Sequence, residues 1–404
     1  MSVFTSTFKN LLLGSIIFWS FFTTYVLHAH EFSGFVGAET RIFPNRALYA
    51  GQEDHSSSFV IQPEYYHEFK SGSSFTFVPF YRLDSADKQR THFDIREFSF
   101  LWLQNNFELR LGVRKVFWGT TEVLHLVDII NQTDLVENLD TEDKLGQPML
   151  NISFSLNWGV WDLYWLPYFR EKTFIGTGGR LRSKAIVETD LTQYESSAKK
   201  WHSDWALRYS HSFGDWDIGL SQFIGTSRDP SLIDGKNSEG TIVKIPLYEQ
   251  IKQTSLDLSF VTGQWLWKGE SLYRSGQGND DYFAWTGGFE YTFSRIWNSQ
   301  MNLGLIGEWM FDTRGDNSST PFENDLAGGL RLSLNDAAST EVLFSWTQDI
   351  NSEARYLFLE ARRRLGEHIL LTTEFRAFLN QPPEDFLFGQ RADEIINIEL
   401  SYYF

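Results

Sequence analysis

Apolar and polar side chains alternate with a period of two in eighteen separate segments of this chain. In the segment 281–293, Phe283, Trp285 and Phe289 share one face, while Thr286 and Glu290 share the other. Successive side chains of a β-strand point to opposite faces, so the alternation predicts strands rather than helices. Each segment is close to the roughly 9 to 11 residues that a tilted strand needs to cross a lipid bilayer.

The connections between these segments alternate in length. Short turns follow the even-numbered segments, and long connections such as 119–147 and 170–203 follow the odd-numbered ones. We therefore predict an all-β fold, a transmembrane antiparallel up-and-down barrel with short periplasmic turns and long extracellular loops. Sixteen strands are an alternative, because 241–248 is ambiguous. The predicted strands are 31–42, 57–68, 74–83, 91–104, 107–118, 148–156, 161–169, 204–213, 216–225, 253–263, 265–274, 281–293, 302–311, 325–334, 340–349, 354–365, 369–378 and 394–404.

The composition excludes several classes of protein. Aromatic residues make up 17% of the chain, which suits a lipid-facing wall with aromatic girdles. Without cysteine, the chain has no disulfide framework, zinc-thiolate site or cysteine nucleophile. A net charge of -17 argues against a nucleic-acid partner, because no basic surface is left to bind phosphates.

The N-terminal residues predict a secretory signal peptide. Lys9 precedes an apolar run over 11–22, and Ala29 supplies a small residue before the barrel segments. A membrane anchor would need about 18 uninterrupted apolar residues, and Thr23 and Thr24 interrupt this run. We expect residues 1–29 to be the signal peptide and 30–404 to form the barrel.

The last ten residues place Leu400, Tyr402 and Phe404 on one face of the final strand. This pattern resembles the closing strand of bacterial outer-membrane β-barrels. The resemblance implies that these three residues are an assembly signal, and that the protein resides in the outer membrane of a Gram-negative bacterium. It implies as partners the barrel-assembly machinery, periplasmic chaperones, and outer-membrane lipid with lipopolysaccharide.

A second resemblance lies around residues 110–135. The runs are RLGVRKVFWG at 110–119 and DIINQTDL at 128–135. They are similar to a "G-R-Q, W-G, then N-P-x-D" stretch in a large porin-like family of proteobacterial outer-membrane proteins of unknown function. Lys115 stands where that family often has Gln, and 131–134 lacks the Pro. The resemblance implies a barrel that passes small solutes or hydrophobic compounds.

The strand phase places many charged side chains on the inner face. An Arg that faces lipid at mid-bilayer costs about 2–4 kcal/mol, so these charges should line an interior that is wet or paired. In 91–104 the phase is irregular, and a β-bulge near Glu97 would restore it. The predicted pore-lining residues are Arg96, Arg110, Arg114, Arg208, Glu290, Glu308, Arg331, Glu360, Arg362, Glu374 and Arg376.

Two long connections carry opposite charge. Residues 119–147 hold seven acidic residues and one lysine, whereas 170–203 holds seven basic and four acidic residues. If the acidic loop folds inward, a transverse field would arise across a constriction and set selectivity. Alternatively, it is a solvated outer loop, or it binds divalent cations that bridge lipopolysaccharide. The predicted constriction residues are Asp128, Asp134, Glu137 and Asp140.

These patterns predict a porin-like channel for passive diffusion of small solutes, without catalysis, cofactor or metal, and compatible with a homo-oligomer. The nine histidines lie in no catalytic or metal-binding motif. Three alternatives stay open: an export conduit for a hydrophobic compound with a periplasmic partner, a non-conducting structural barrel, and a rim esterase. A lateral gap would favour the first, a filled lumen the second, and a Ser, His and carboxylate brought together the third.

Overall fold

The computed structural model describes residues 30–404, so the predicted signal peptide lies outside the described residues. Its strands are β1 (His30–Ile42), β2 (His55–Glu68), β3 (Ser74–Asp84), β4 (His92–Gln104), β5 (Phe107–Arg114), β6 (Gln147–Leu156), β7 (Gly159–Leu166), β8 (Gln193–Tyr194), β9 (Asp204–Phe213), β10 (Trp216–Thr226), β11 (Ser231–Lys236), β12 (Ile242–Tyr248), β13 (Gln250–Thr262), β14 (Trp265–Ser275), β15 (Tyr282–Phe293), β16 (Asn302–Asp312), β17 (Asn324–Ser333), β18 (Glu341–Asp349), β19 (Arg355–Leu365), β20 (Ile369–Leu379) and β21 (Ile395–Tyr403).

In the described part of the chain, short 3-10 helices occur only in the connections between strands. They span Thr189–Leu191, Lys199–Trp201, Ile296–Asn298, Gly315–Asn317 and Phe386–Gln390. Within 30–404, no helix has both the length and the apolar character needed to cross a membrane.

Eighteen of the strands form one closed antiparallel barrel. The strand β1 pairs with β2 on one side and with β21 on the other, which closes the ring. The backbone N–H of Phe404 also donates to the Gly34 carbonyl (3.1 Å). The predicted fold and the count of eighteen are confirmed, and the alternative of sixteen is wrong.

The remaining strands, β8, β11 and β12, form a small separate sheet in the long connections. The ambiguous segment 241–248 belongs to this sheet and not to the wall. Another difference concerns β5, which ends at Arg114 although the alternation continues to Trp118. Beyond Arg114 the chain leaves the wall, and Val116 and Trp118 pack against the apolar cluster inside the barrel.

The outer face of the barrel is apolar and aromatic. Exposed side chains on strands around the barrel include Phe100, Leu111, Trp267 and Leu330. In the closing strand, Leu400 and Tyr402 are also exposed on this face, and the Phe404 ring lies 5.7 Å from that of Phe32. The barrel therefore presents to its surroundings the surface that a lipid-facing wall requires.

The expected β-bulge is present in β4. Val78 pairs with Glu97 and Pro79 with Ile95, so Arg96 is an extra residue without a partner on β3. The extra residue shifts the alternation by one position. Arg96 and Ser99 are therefore both buried inside, while Phe98 between them is 49% exposed on the outer face.

A second irregularity interrupts the pairing of β2 with β3. Ile61 pairs with Tyr81 and Tyr65 with Phe77, but the three residue pairs between them are not joined in the ladder. The same register places Pro63 opposite Pro79, and neither proline has an N–H to donate. A backbone carbonyl without a donor is costly in the interior of a membrane. The seam between these two prolines is therefore a weak point of the wall.

Restoring one donor should strengthen the wall. We expect Pro63→Val to stabilise the barrel by about 1 kcal/mol, because its N–H can donate to the Pro79 carbonyl. The measurement is the temperature at which the folded barrel, in detergent, loses its characteristic electrophoretic mobility. Pro321→Val, which changes a loop proline, should bring no gain; a Pro63→Val barrel no more stable than wild type would contradict this account of the seam.

Candidate pore and its inserted loop

The connection between β5 and β6 lies inside the barrel. Its second half forms a small hairpin, in which the N–H of Asp134 donates to the Asp143 carbonyl (2.8 Å) and that of Leu145 to Gln132 (2.9 Å). Residues 115–146 are called the inserted loop below. Its location agrees with an inward fold for 119–147 and not with a solvated outer loop.

The first half of the inserted loop is anchored by apolar contacts with one side of the wall. Trp118, Val127, Ile129 and Ile130 are buried in a common cluster with wall residues of β6, β7, β9, β10 and β13. This cluster explains why an acidic loop enters the barrel, since it buries its alternate apolar residues there. The wall residues of the cluster are Met149, Tyr164, Leu166, Ala206, Phe223 and Ile251.

Two wall carboxylates hold the backbone of the inserted loop. Glu270 on β14 accepts hydrogen bonds from the N–H groups of Thr120 (2.6 Å), Thr121 (3.0 Å) and Val127 (3.2 Å). Glu308 on β16 accepts from the N–H groups that follow, at residues 122 (2.7 Å) and 123 (3.0 Å). Charge-assisted bonds of this kind are roughly twice as strong as neutral ones.

The acidic half of the inserted loop makes ion pairs with the opposite side of the wall. Arg96 donates to Asp134 (2.7 Å), Arg82 to Glu137 (2.8 Å) and Arg376 to Asp140 (2.8 Å). Glu122 accepts from Arg331 on β17 (2.6 Å). The loop is thus tied to β3, β4, β17 and β20 as well as to the apolar side.

Asp134 is the most enclosed of these acids, with 0% of its surface exposed. Burial alone would raise the pKa of this carboxyl, but the hydrogen bond from His92 and the charge of Arg96 lower it to about 2. Asp134 therefore stays ionised at neutral pH and keeps the loop attached to β4.

The basic connection 170–203 lies over the end of the barrel that bears the long loops. Arg170 donates to Asp94 on β4 (2.6 Å), Lys172 to Asp229 (3.1 Å) and Arg180 to Asp393 (2.7 Å). These three cations are therefore held by carboxylates of the wall and of neighbouring loops.

A cavity of about 1650 Å³ occupies the part of the lumen that the inserted loop leaves free. Asn279 and Ser318 line it near the long loops, and Phe35, Leu370 and Tyr403 line it near the short turns. Its wall is formed by β1–β4 and β14–β21. The cavity therefore runs along one side of the barrel, opposite the apolar cluster.

The predicted lining residues fall into two groups. Arg96, Arg331, Glu360, Arg362, Glu374 and Arg376 line the cavity, as do Asp128, Glu137 and Asp140 of the inserted loop. The others are placed elsewhere: Glu308 holds the loop backbone, Arg208 pairs with Asp257 (2.7 Å) under Trp118, and Glu290 lies 3.6 Å from Arg331. Arg110 pairs with Glu108 (3.0 Å), Arg114 contacts Asn151 (3.4 Å), and Asp134 is enclosed by Arg96 and His92.

Sequence reasoning missed several charged residues that the structure brings to this site. Glu270 is in the inward phase of its predicted strand, and so is Arg82, which shares its face with Phe80. Glu39 accepts from both Arg82 (3.0 Å) and Arg90 (2.9 Å) in the same network. The alternation with a period of two predicts that these side chains face inward, but no neighbouring residue in the sequence indicates which partners they contact.

His92, Asp134 and Glu137 bring three metal-ligand types within 4.8 Å of one another. Both carboxylates are already bound to guanidinium groups, Asp134 to Arg96 and Glu137 to Arg82. The positive charge that a cation would supply is therefore present already, and we read the trio as part of the ion-pair network.

Two imidazoles contact carboxylates in the way that catalytic triads do. His92 contacts Asp134 (3.1 Å) and the Arg90 carbonyl, while His202 contacts Asp204 (2.8 Å). No serine hydroxyl is hydrogen-bonded to either of these two rings, so neither pair forms the arrangement that a rim esterase needs.

No family model matches this sequence, and a search of curated proteins found no match. Solved structures do resemble it. Pseudomonas aeruginosa OpdQ has a TM-score of 0.54 at 10% identity, over 93% of this chain and 98% of that chain. The chain has a porin-like fold. A variant of the Rh. blastica porin also matches, at a TM-score of 0.45 and 12% identity over 93% and 100% of the two chains.

Glu270→Gln should loosen the inserted loop while leaving the barrel folded. A hydrogen bond to a charged group contributes about 1.5–3 kcal/mol, so amide exchange at Thr120, Thr121 and Val127 should accelerate by about 10- to 100-fold. The measurement is hydrogen–deuterium exchange by mass spectrometry. Glu341→Gln, at the start of β18 and exposed, is the control; equal protection in both variants would contradict the anchoring role of Glu270.

Proposed function

We propose that this protein is a bacterial outer-membrane channel through which small polar solutes diffuse passively, with the inserted loop as its constriction. The observation that carries the proposal is the cavity lined by charged side chains from the long loops to the short turns. Passage of a polar solute requires such a lining, because the side chains replace part of its hydration.

The proposed location follows from the outer surface of the barrel. A wall of exposed Phe, Trp and Leu side chains would be unstable in water, whereas lipid would cover it. The short turns would then face the periplasm and the long loops the exterior. We also propose that Leu400, Tyr402 and Phe404 form the assembly signal.

The inserted loop would act mainly by narrowing the lumen. Its acids are in direct contact with the arginines of the wall, so their fields largely cancel at a distance. The transverse electric field across the constriction is therefore weaker than the field that the same charges would produce without ion pairs. The ion pairs instead hold the loop in a fixed position across the barrel.

Conductance of the purified barrel in a planar bilayer tests the proposal. Wild type should show steady, well-defined single-channel steps. Replacing 135–142 with Asn-Gly should at least double the conductance, because the shortened loop narrows the lumen less. The pairing of Asp134 with Asp143 suits such a two-residue turn. Replacing the exposed tip 238–240 should change nothing. A folded barrel without conductance would refute the channel, and unaltered conductance in the shortened loop would refute the constriction.

A second candidate function is lateral exchange of an apolar compound between the lumen and the membrane. The seam at Pro63 and Pro79 favours it, since Gln62 and Phe80, next to these prolines, line the cavity. A disulfide between Gln62→Cys and Phe80→Cys would close the seam, and the chain has no other cysteine. The measurement is the transfer of a probe with an alkane chain between the lumen and the membrane. Loss of this transfer in the oxidised form, with conductance retained, would support the candidate, and unchanged transfer would reject it.

A further inference from the structure

Most charged side chains that line the cavity are neutralised by a partner. Arg41 pairs with Glu39 (2.6 Å), Arg314 with Asp312 (2.6 Å) and Lys144 with Asp128 (3.1 Å). These pairs contribute little net field to a solute that passes them. Any selectivity must therefore come from the charges that remain without an ion pair.

The remaining charges are mostly negative. Within the described residues 30–404, five carboxylates that line the cavity have no cationic partner within 4 Å, and two cations have no acidic partner. The carboxylates are Glu142, Asp143, Asp280, Asp281 and Glu399, and the cations are Lys115 and Arg182.

The five carboxylates are distributed along the whole cavity. Asp280 and Asp281 are exposed in the connection between β14 and β15, at the end with the long loops. Glu142 and Asp143 are exposed where the hairpin of the inserted loop returns, after Thr141 in a left-handed conformation (φ 65°). Glu399 lies opposite Thr372, closer to the short turns.

The two unpaired cations compensate only part of this charge. Arg182 is 7% exposed, and its guanidinium donates to the carbonyls of Ser183 (3.0 Å) and Thr177 (3.1 Å). Lys115 is the first residue of the inserted loop, where partial burial and the charge of Arg96 lower its pKa. Neither cation reaches the carboxylates at the mouth or at Glu399 within 4 Å.

We propose that these uncompensated carboxylates make the cavity a path for cationic solutes, with Glu142 and Asp143 as the residues that set the preference. The inference rests on the proposed channel function and adds its substrate class, small inorganic cations and organic amines. Negative charge along a narrow, low-dielectric path raises the local concentration of cations and repels anions. The formal charge of -17 on the whole chain acts in the same direction.

The carboxyl of Asp143 gives the proposal a pH readout. Its enclosure within the barrel, together with the carboxylates of Asp140 and Glu137, raises its pKa to about 7. Arg96 opposes this shift, Asp134 adds to it, and Lys115 faces Asp143 from the end of β5. Because a raised carboxyl pKa means loss of charge on acidification, the cation preference should decline between pH 8 and pH 6.

The reversal potential across a potassium chloride gradient measures the preference directly. Wild type should pass potassium at least about threefold more readily than chloride, the order of effect expected from local charge. Glu142→Gln with Asp143→Asn should bring this ratio close to one. The control is Glu239→Gln with Glu367→Gln, which removes the same charge at two exposed positions outside the cavity and should leave the ratio unchanged.

The outcomes separate this proposal from the channel itself. Steady conductance with a ratio near one or below, or a ratio indifferent to the double substitution, would overturn cation selectivity and leave the channel intact. Absence of conductance in a folded barrel would overturn the channel. Asp143→Asn alone should remove most of the pH dependence; an unchanged pH profile would show that Glu142 and Asp143 do not set the preference.

Discussion

The structure depends on one constraint: every backbone N–H and C=O of the wall must find its partner within the wall. A sheet with an apolar outer face can meet this requirement in lipid only by closing on itself. The pairing of β1 with β21 does so, and the N–H of Phe404 extends the pairing beyond the last strand. The seam between Pro63 and Pro79 is where this constraint is locally relaxed.

Closure creates the second problem, which is how to fill a wide lumen without isolating charges. The inserted loop solves it with two unlike surfaces, since Ile130 and Trp118 bury apolar area against one side of the wall while Asp134 and Glu137 meet arginines on the other. Removing one partner of such a buried pair typically costs about 3–5 kcal/mol. The pairing therefore determines where the loop lies and, by exclusion, where the cavity remains.

The cation preference proposed for the cavity depends on the charged side chains that remain without an ion pair. Arg96 and Arg376 line the cavity but are neutralised by Asp134 and Asp140, so their main effect is to position the loop. Glu142 and Asp143 follow Asp140 closely in sequence, yet within residues 30–404 neither has a cation within 4 Å. Function and architecture are thus divided among neighbouring residues of one loop.

Much of this could be predicted from sequence because it is local. A period of two fixes which side chains face inward, and turn length fixes which ends of the strands are joined closely, so the eighteen strands and even the bulge at Arg96 could be anticipated. The partners could not, because Asp140 and Arg376 are 236 residues apart and meet only when the ring has closed. The phase of a strand determines whether a side chain faces inward or outward, but not its depth in the barrel or its contact partners. Only the tertiary structure decided which charges cancel and which remain for a solute.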